Sequence, residues 1–275
     1  MSRLFTFGCS YTHYRWPSWA DILGKEFESH ENWGHIGLGN RAIAERVAEC
    51  HVKSKITADD TVVIQWAGYS RHDWMHSRKR PGDVSYWRTK GNIFSPANET
   101  VFNQPWLLRF WDAKAYYLHT LNNIVMTQGL LKSIGCNWAM TSLTDLRLVD
   151  VNDVEDLSVY VQSIWNDHQS HWLIPFNEFR SQHPETWEFK PSAREPAHHS
   201  LDNGVFTEGH MPVDQHAIFT QEVKKILNMP SSLTTDQQTL VAVINDIKSK
   251  HSNYDDFIDA VNKTSWAQTM SHKGY

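Results

Sequence analysis

The sequence is poor in cysteine and has no long apolar run. Its 275 residues include only three cysteines, Cys9, Cys50 and Cys136, which are too few and too scattered for a disulfide framework or a metal-binding pair. No window approaches the roughly 18 consecutive apolar residues of a membrane-spanning helix. The first residues carry one positive charge but lack the apolar core and cleavage site of a secretion signal. We therefore expect a cytoplasmic protein that makes no contact with a membrane.

An excess of basic residues is also absent. The chain has 26 lysines and arginines against 31 aspartates and glutamates, a formal net charge of -5. Proteins that bind nucleic acid usually carry a basic face, so we expect no nucleic-acid partner. Tryptophan and histidine are abundant instead, with 13 and 16 copies. Tryptophan rings stack on sugars as well as filling cores, so this composition is compatible with carbohydrate contact, although core packing accounts for most such residues.

The first seventy residues alternate between strand and helix patterns. A short apolar run at 4–8 and a buried run at 61–66 are typical of strands, and residues 40–56 have the spacing of an amphipathic helix. A further strand is predicted at 136–143. This alternation predicts a three-layer α/β/α sandwich with a central parallel sheet in flavodoxin-like order, 2-1-3-4, with a fifth strand as an option.

We predict that the chain divides into a main domain over residues 1–229 and a helical C-terminal appendage over residues 230–275. Residues 74–105 are rich in Arg, Lys, Pro, Gly and Asn and have no sustained period, which indicates an insertion. Because this insertion leaves the carboxyl end of the third strand, we predict a lid over the site, with Trp74, Tyr86 and Trp87 as its aromatic groups.

Three segments end at the carboxyl edge of the predicted sheet, where open parallel sheets bind ligands. The first contains Ser10 in a strand-to-helix turn, a position that is also typical of a helix N-cap. The second is a glycine-rich turn around Gly37, and the third holds Glu208 and His210 before a helix. A carboxylate beside a histidine can orient and stabilise the imidazole.

Together these segments resemble the conserved blocks of the SGNH (GDSL-like) hydrolase family. The resemblance is carried by Phe5-Thr6-Phe7-Gly8-Cys9-Ser10-Tyr11-Thr12, Asn32-x-Gly34-x-x-Gly37 and Glu208-Gly209-His210. With the Trp-Pro-Ser-Trp-Ala-Asp-Ile-Leu run, the opening looks most like small SGNH proteins encoded by phages of marine bacteria. The resemblance implies Ser10 as nucleophile, His210 as base, Glu208 as the orienting acid, and an oxyanion hole formed by Ser10 and Gly37.

Three features depart from the family pattern. Cys9 replaces the aspartate before the nucleophile, and Glu208 stands two residues before the histidine where the family has an aspartate at three. The third block, Gly-x-Asn-Asp, is absent, and Tyr69 is our candidate for its oxyanion donor, with Ser70 and Arg71 as alternatives. Asp202 is the alternative acid because it lies in the same loop as Glu208.

The resemblance implies a serine esterase or deacylase that cleaves a small-molecule or glycan ester through an acyl-serine, without a cofactor or metal. The alternative is a catalytically impaired binding or accessory protein of a phage, in the host cytoplasm, which the missing third block favours. A metalloenzyme using His198, His199, His210 and His216 is less favoured, because their spacing matches no common zinc motif. The pattern does not indicate an oligomeric state.

Overall fold

The computed structural model describes residues 2–75, 87–95, 98–148, 157–190, 201–202 and 205–269. The strands are β1 (Arg3–Phe7), β2 (Ser29–Asn32), β3 (Thr61–Trp66), β4 (Arg71–Met75), β5 (Trp87–Asn92), β6 (Asn137–Ser142), β7 (Glu188–Phe189), β8 (Leu201–Asp202) and β9 (Val205–Thr207). The helices are α1 (Trp19–Gly24), α2 (Asn40–Ser54), α3 (Gln104–Phe110), α4 (Ala113–Ile134), α5 (Leu157–Ile164), α6 (Phe176–Gln182), α7 (Val213–Ile226), α8 (Thr235–Lys250), α9 (Tyr254–Val261) and α10 (Ser265–Thr269).

Four of these strands form a parallel sheet in the order β2-β1-β3-β6. This is the predicted order 2-1-3-4, with β6 as the fourth strand, so the α/β fold with its central parallel sheet is confirmed. Beyond β6, the described residues add a single parallel bridge to this sheet, between Met140 and Trp172, and the optional fifth strand stays a prediction. Ser10 follows β1 and therefore sits beside the switch point of the sheet, between the ends of β2 and β3.

The sheet is buried on both faces because its residues alternate between two apolar clusters. In β3, Val62 and Ile64 belong to the cluster beneath α2 and α4, and Val63 belongs to the cluster beneath α1 and α7. A strand buried on both faces reads as a continuous apolar run, which is why Thr61–Trp66 could be recognised in the sequence. The result is three layers, with helices above and below the sheet.

A hairpin of β4 and β5 is attached to the loop between β2 and α2. The amide of Gly91 donates to the carbonyl of Gly37 (3.2 Å), and Arg71 Nη1 donates to the carbonyl of Leu38 (2.8 Å). The hairpin thus lies at the carboxyl edge of the sheet. Residues 76–86 and 96–97, and the side chain of Trp87, lie outside the described residues, so the lid over residues 74–105 stays a prediction.

The C-terminal helices pack directly behind the segment that follows β1. Tyr14 and Trp16 share an apolar cluster with Leu240, Ile244 and Phe257 of α8 and α9. Gln237 Nε2 also donates to the carbonyl of Ile22 in α1 (3.0 Å). The tail therefore supports residues 14–16, and the domain boundary at 230 stays a prediction. No helix in the described part of the chain has the length and apolarity needed to cross a bilayer.

Candidate active site

Ser10 lies in a tight turn immediately after β1. The amides of Thr12 and His13 both donate to the carbonyl of Cys9 (2.9 and 3.1 Å), which folds the chain around the serine. The turn requires glycine at position 8, because a Cβ there would lie 2.1 Å from Thr12 Oγ1 and 2.9 Å from the carbonyl oxygen of Gln65. Ser10 is 7% exposed. It is therefore held on rigid backbone at the carboxyl end of a central strand.

A buried polar network fixes this turn to the loop that follows β2. Asn32 Nδ2 donates to the carbonyl of Thr12 (2.9 Å) and to Asp21 Oδ1 (3.1 Å), and the amide of Gly34 donates to Asn32 Oδ1 (3.0 Å). Burial raises the pKa of Asp21 to about 6. Asn32 thus joins the two loops that carry the predicted nucleophile and oxyanion donor, which gives the asparagine of the second sequence block a structural role.

Gly37 occupies a left-handed conformation, with φ of 84°, that disfavours any other residue. A Cβ there would also meet Thr89 Oγ1 at 3.1 Å and the amide nitrogen of Gly91 at 3.2 Å. Within the described residues, the amides of Ser10 and Gly37 donate no hydrogen bond. Neither amide is thus committed to another group of the described residues.

His210 and Glu208 form a hydrogen-bonded pair. His210 Nδ1 lies 2.9 Å from Glu208 Oε1, and the amide of His210 donates to the same oxygen at 3.2 Å. The glutamate side chain is 3% exposed and the histidine side chain 22%. A carboxylate accepts only, so Nδ1 carries the hydrogen of the neutral ring and Nε2 keeps its lone pair. This is the tautomer that a general base requires.

Two tyrosines enclose the His210 ring, and sequence reasoning assigned neither of them a role. Tyr14 stacks on it, with ring centroids 3.6 Å apart and planes at 18°, and its hydroxyl lies 3.4 Å from Glu208 Oε1. Tyr11 lies at a centroid distance of 5.0 Å, donates to the carbonyl of Gly209 (3.2 Å) and accepts from Arg180 Nη1 (2.7 Å). No sequence pattern indicates these contacts, because the tyrosines and the histidine are almost 200 residues apart.

Trp16 connects the segment that follows Ser10 to the loop that carries His210, residues 208–211, which we call the histidine loop. Its Nε1 donates to the carbonyl of Met211 (3.0 Å), and its ring packs edge-on against Tyr14 at 4.6 Å. Residues 14–16 and 208–211, almost 200 positions apart, are therefore joined by ring stacking and hydrogen bonds. These contacts limit how far His210 can move relative to β1.

The structure brings some of the predicted site residues together and leaves others apart. Glu208 and His210 are paired, but within the described residues no hydrogen bond joins Ser10 to His210. Tyr69 packs its ring against Trp111 (6.1 Å) and Tyr117 (5.8 Å). The backbone of Asp202 forms part of β8, and its side chain lies outside the described residues. The Ser10–His210 step, the role of Tyr69 and the alternative acid all stay predictions.

His216 is a structural residue one turn into α7. It is fully buried, and within the described residues neither ring nitrogen has a hydrogen-bond partner. Burial, with minor contributions from His210 and Arg180, lowers its pKa to about 3 and keeps the ring neutral. Among the described residues there is also no cluster of three or more His, Cys, Asp or Glu side chains that could hold a metal ion. His198 and His199 lie outside the described residues.

A cleft of about 330 Å³ opens beside His210. Its walls include Arg180 and His183 from the α6 region, together with Glu185 and Gln215. Gln215 Nε2 donates to Glu185 Oε2 (2.8 Å), which gives that carboxylate a partner within the cleft. His210 thus has one buried partner at Nδ1 and also lines an open cleft.

Comparison with known proteins gives a structural likeness of low overlap and no match in sequence. No protein-family model matches the chain, and no curated protein matches it. It is similar to a solved structure described as a member of the lipolytic protein G-D-S-L family from Veillonella parvula. The two are 13% identical, the match covers 67% of this chain and 75% of that one, and the TM-score is 0.30. At this overlap the likeness assigns no function.

Proposed function

We propose that the protein is a serine hydrolase that cleaves an ester of a small molecule or glycan through an acyl-serine intermediate. The observation that carries the proposal is the buried Glu208–His210 pair, with Nδ1 held at 2.9 Å from the carboxylate. A buried carboxylate on one ring nitrogen fixes the tautomer and stabilises the imidazolium that forms when the other nitrogen takes a proton. The position of Ser10 beyond the end of β1 supplies the nucleophile.

In the proposed reaction, Ser10 Oγ attacks the ester carbonyl and His210 Nε2 takes its proton. The bond between the acyl carbon and the alcohol oxygen then breaks, and His210 returns the proton to the leaving alcohol. Water, activated by the same imidazole, attacks the acyl-serine and releases the acid and free Ser10. Glu208 stays ionised throughout and faces the imidazolium at each proton transfer.

The amides of Ser10 and Gly37 are the proposed oxyanion donors. Both are free of other hydrogen bonds within the described residues, and the Asn32 network holds their loops together. The loss of one oxyanion donor costs on the order of 100- to 1,000-fold in turnover. Tyr69 stands where the third block of SGNH hydrolases has an asparagine, so the proposal predicts a slow enzyme unless another group supplies that donor.

A catalytically impaired binding protein is the second candidate. The packing of Tyr69 against Trp111 and Tyr117 favours it, because these contacts hold the ring of our candidate for the third oxyanion donor among other aromatic rings. The two candidates differ in whether Ser10 forms a covalent bond. Neither requires a change in the fold.

Hydrolysis of p-nitrophenyl acetate tests the proposal. We expect activity in the native protein that falls to the buffer rate in Ser10→Ala and nearly as far in His210→Ala, because the two side chains act as one unit. Ser133→Ala is the matched control, since this exposed serine near the C-terminal end of α4 donates to the carbonyl of Leu130 in the same helix (2.8 Å) and has no role in the proposed reaction. Activity above the buffer rate that is equal in the native protein and in folded Ser10→Ala would reject Ser10 as nucleophile. A native protein that hydrolyses the ester no faster than buffer would favour the binding protein.

A further inference from the structure

A second cleft, of about 480 Å³, lies at the same edge of the sheet as Ser10. We call it the aromatic cleft and define it by Tyr69, His72, Trp106, Phe110, Tyr116 and His119, which line it. Tyr69 follows β3, and Ser10 follows β1, the strand paired with β3. The parallel register brings both strand ends to one edge, so the aromatic cleft opens at the edge where the proposed chemistry takes place.

The aromatic rings of the cleft are fixed by contacts with one another. Trp106 packs edge-on against His72 at 5.3 Å and against Phe102 at 4.8 Å. Tyr116 is held by a 2.7 Å hydrogen bond between its hydroxyl and His72 Nδ1. Trp106 and Tyr116 are only half-buried, so parts of these preorganised rings face solvent. Rigid aromatic surfaces of this kind bind the apolar faces of flat ligands at low entropic cost.

The cleft carries little net charge. Arg41 pairs with Glu45, with Nε and Oε1 2.9 Å apart. Arg71 lies near the buried Asp73, which accepts from the amides of Gly39 and Ala42 at the start of α2. Burial and the nearby charge of Arg41 lower the pKa of His72, so its ring is neutral at pH 7. An anionic ligand would therefore gain little from this site.

Polar side chains are interspersed with the rings. His119 and Asn123 lie on α4 and line the cleft, and within the described residues their side chains form no hydrogen bond. A long acyl chain would leave these groups without partners, which is unfavourable in a closed complex. A saccharide ring matches both the aromatic and the polar groups of the cleft. Its apolar C–H faces can pack on the aromatic rings, and its equatorial hydroxyls can bond the Asn123 amide and the His119 imidazole.

We propose that the aromatic cleft binds a neutral sugar ring of the substrate, with Trp106 as its stacking surface. This assigns the alcohol side of the ester to a saccharide and places the sugar-binding surface on α3 and α4. The link between the sugar and the reaction rests on the proposed esterase function. The binding of the sugar itself does not.

Binding is measured with Ser10→Ala protein, which keeps the cleft and consumes no ester. Saturation-transfer NMR with xylotriose and cellotriose, each with and without O-acetyl groups, should show transfer to the sugar C–H protons. Trp106→Ala in the same background should weaken binding about tenfold, the size of one lost aromatic contact. Leu108→Ala is the matched control, because this residue of α3 is 81% exposed and does not line the cleft.

A kinetic experiment on the protein with Ser10 intact links the cleft to the reaction. Trp106→Ala should raise KM for acetylated xylotriose about tenfold, whereas Leu108→Ala should change neither that KM nor kcat/KM for p-nitrophenyl acetate. No transfer to any of the four saccharides, or transfer that Trp106→Ala leaves unchanged, would overturn the proposal. A Trp106→Ala effect on p-nitrophenyl decanoate in place of the sugar ester would also overturn it, in favour of an acyl-chain site.

These experiments can reject the proposed esterase function and the proposed sugar binding independently of each other. Sugar binding that depends on Trp106 in a protein without esterase activity would support the aromatic cleft and reject the proposed function. Esterase activity that depends on Ser10 without Trp106-dependent sugar binding would support the function and overturn the cleft.

Discussion

Replacement of Glu208 by glutamine removes one negative charge from the site while keeping the size of the side chain. In the native structure Oε1 accepts from both Nδ1 and the amide of His210, and the residue is 2% exposed. A glutamine here can donate an N–H to Nδ1, which moves the ring hydrogen to Nε2. The free lone pair would then lie on Nδ1, where it accepts from the glutamine, so Nε2 could not take the proton of Ser10 in the proposed reaction.

The expected cost follows from two effects, the wrong tautomer and the loss of the charge that stabilises the imidazolium. In serine hydrolases the carboxylate-to-amide change lowers kcat by roughly 10,000-fold. Because Glu208 is the acceptor that the described structure gives to Nδ1, we expect a loss of about 100- to 10,000-fold in kcat/KM. At about 1.4 kcal/mol per factor of ten, this corresponds to roughly 3–5.5 kcal/mol of transition-state stabilisation.

The assay is p-nitrophenyl acetate hydrolysis by Glu208→Gln, with Glu185→Gln as the matched control. Glu185 is a carboxylate of the same cleft that binds Gln215, so its replacement should change kcat/KM less than about threefold. If the Glu208→Gln protein keeps kcat/KM within about threefold of the native value, the orienting role of Glu208 is wrong. Asp202, the alternative acid, would then be the next residue to replace.

Three further changes probe the supports of the site. Tyr14→Phe should keep the ring stacked on His210 and reduce kcat only a few-fold. Tyr14→Ala should reduce kcat at least about tenfold more. Equal kcat values for the two variants would rule out a role for the stacked ring. Gly8→Ala should lower the free energy of unfolding by about 1–3 kcal/mol, because its Cβ overlaps Thr12 Oγ1, and an unchanged urea midpoint would contradict the close approach. Burial lowers the pKa of His216 to about 3, so below about pH 6.5 the unfolded chain binds a proton that the folded chain does not. The free energy of unfolding therefore falls as pH falls from 6.5 towards 3, by up to about 1.4 kcal/mol per pH unit from this residue. His216→Leu should therefore flatten the fall in unfolding free energy between pH 6.5 and pH 4, and an identical slope in both proteins would show that His216 is not buried in its neutral form.

The parallel sheet could be predicted from the sequence because its strands carry unambiguous patterns. Thr61–Trp66 is buried along its whole length and reads as one apolar run, and the amphipathic α2 separates it from β2. Parallel strands joined by helices allow few topologies, so the strand order followed. The antiparallel hairpin of β4 and β5 could not be predicted, since its polar residues are fixed by contacts with Leu38 and Gly39 that have no local signature.

The candidate site was predictable only where its residues are close in the sequence. Glu208 and His210 are two residues apart, so their hydrogen bond follows from local geometry. Tyr14 and Trp16 reach the histidine loop across almost 200 residues, and a single sequence gives no sign of such a contact. The aromatic cleft brings together residues after β3, in the hairpin and on two helices, so it too becomes visible only in three dimensions.

Covalent labelling with a fluorophosphonate tests the central claim most directly, because the reagent reacts with a serine only when a base has activated it. The account predicts one adduct per chain, located on Ser10 by peptide mass spectrometry, absent from Ser10→Ala and formed at least about 100-fold more slowly in His210→Ala. No adduct on Ser10, or labelling at the same rate without His210, would contradict the account.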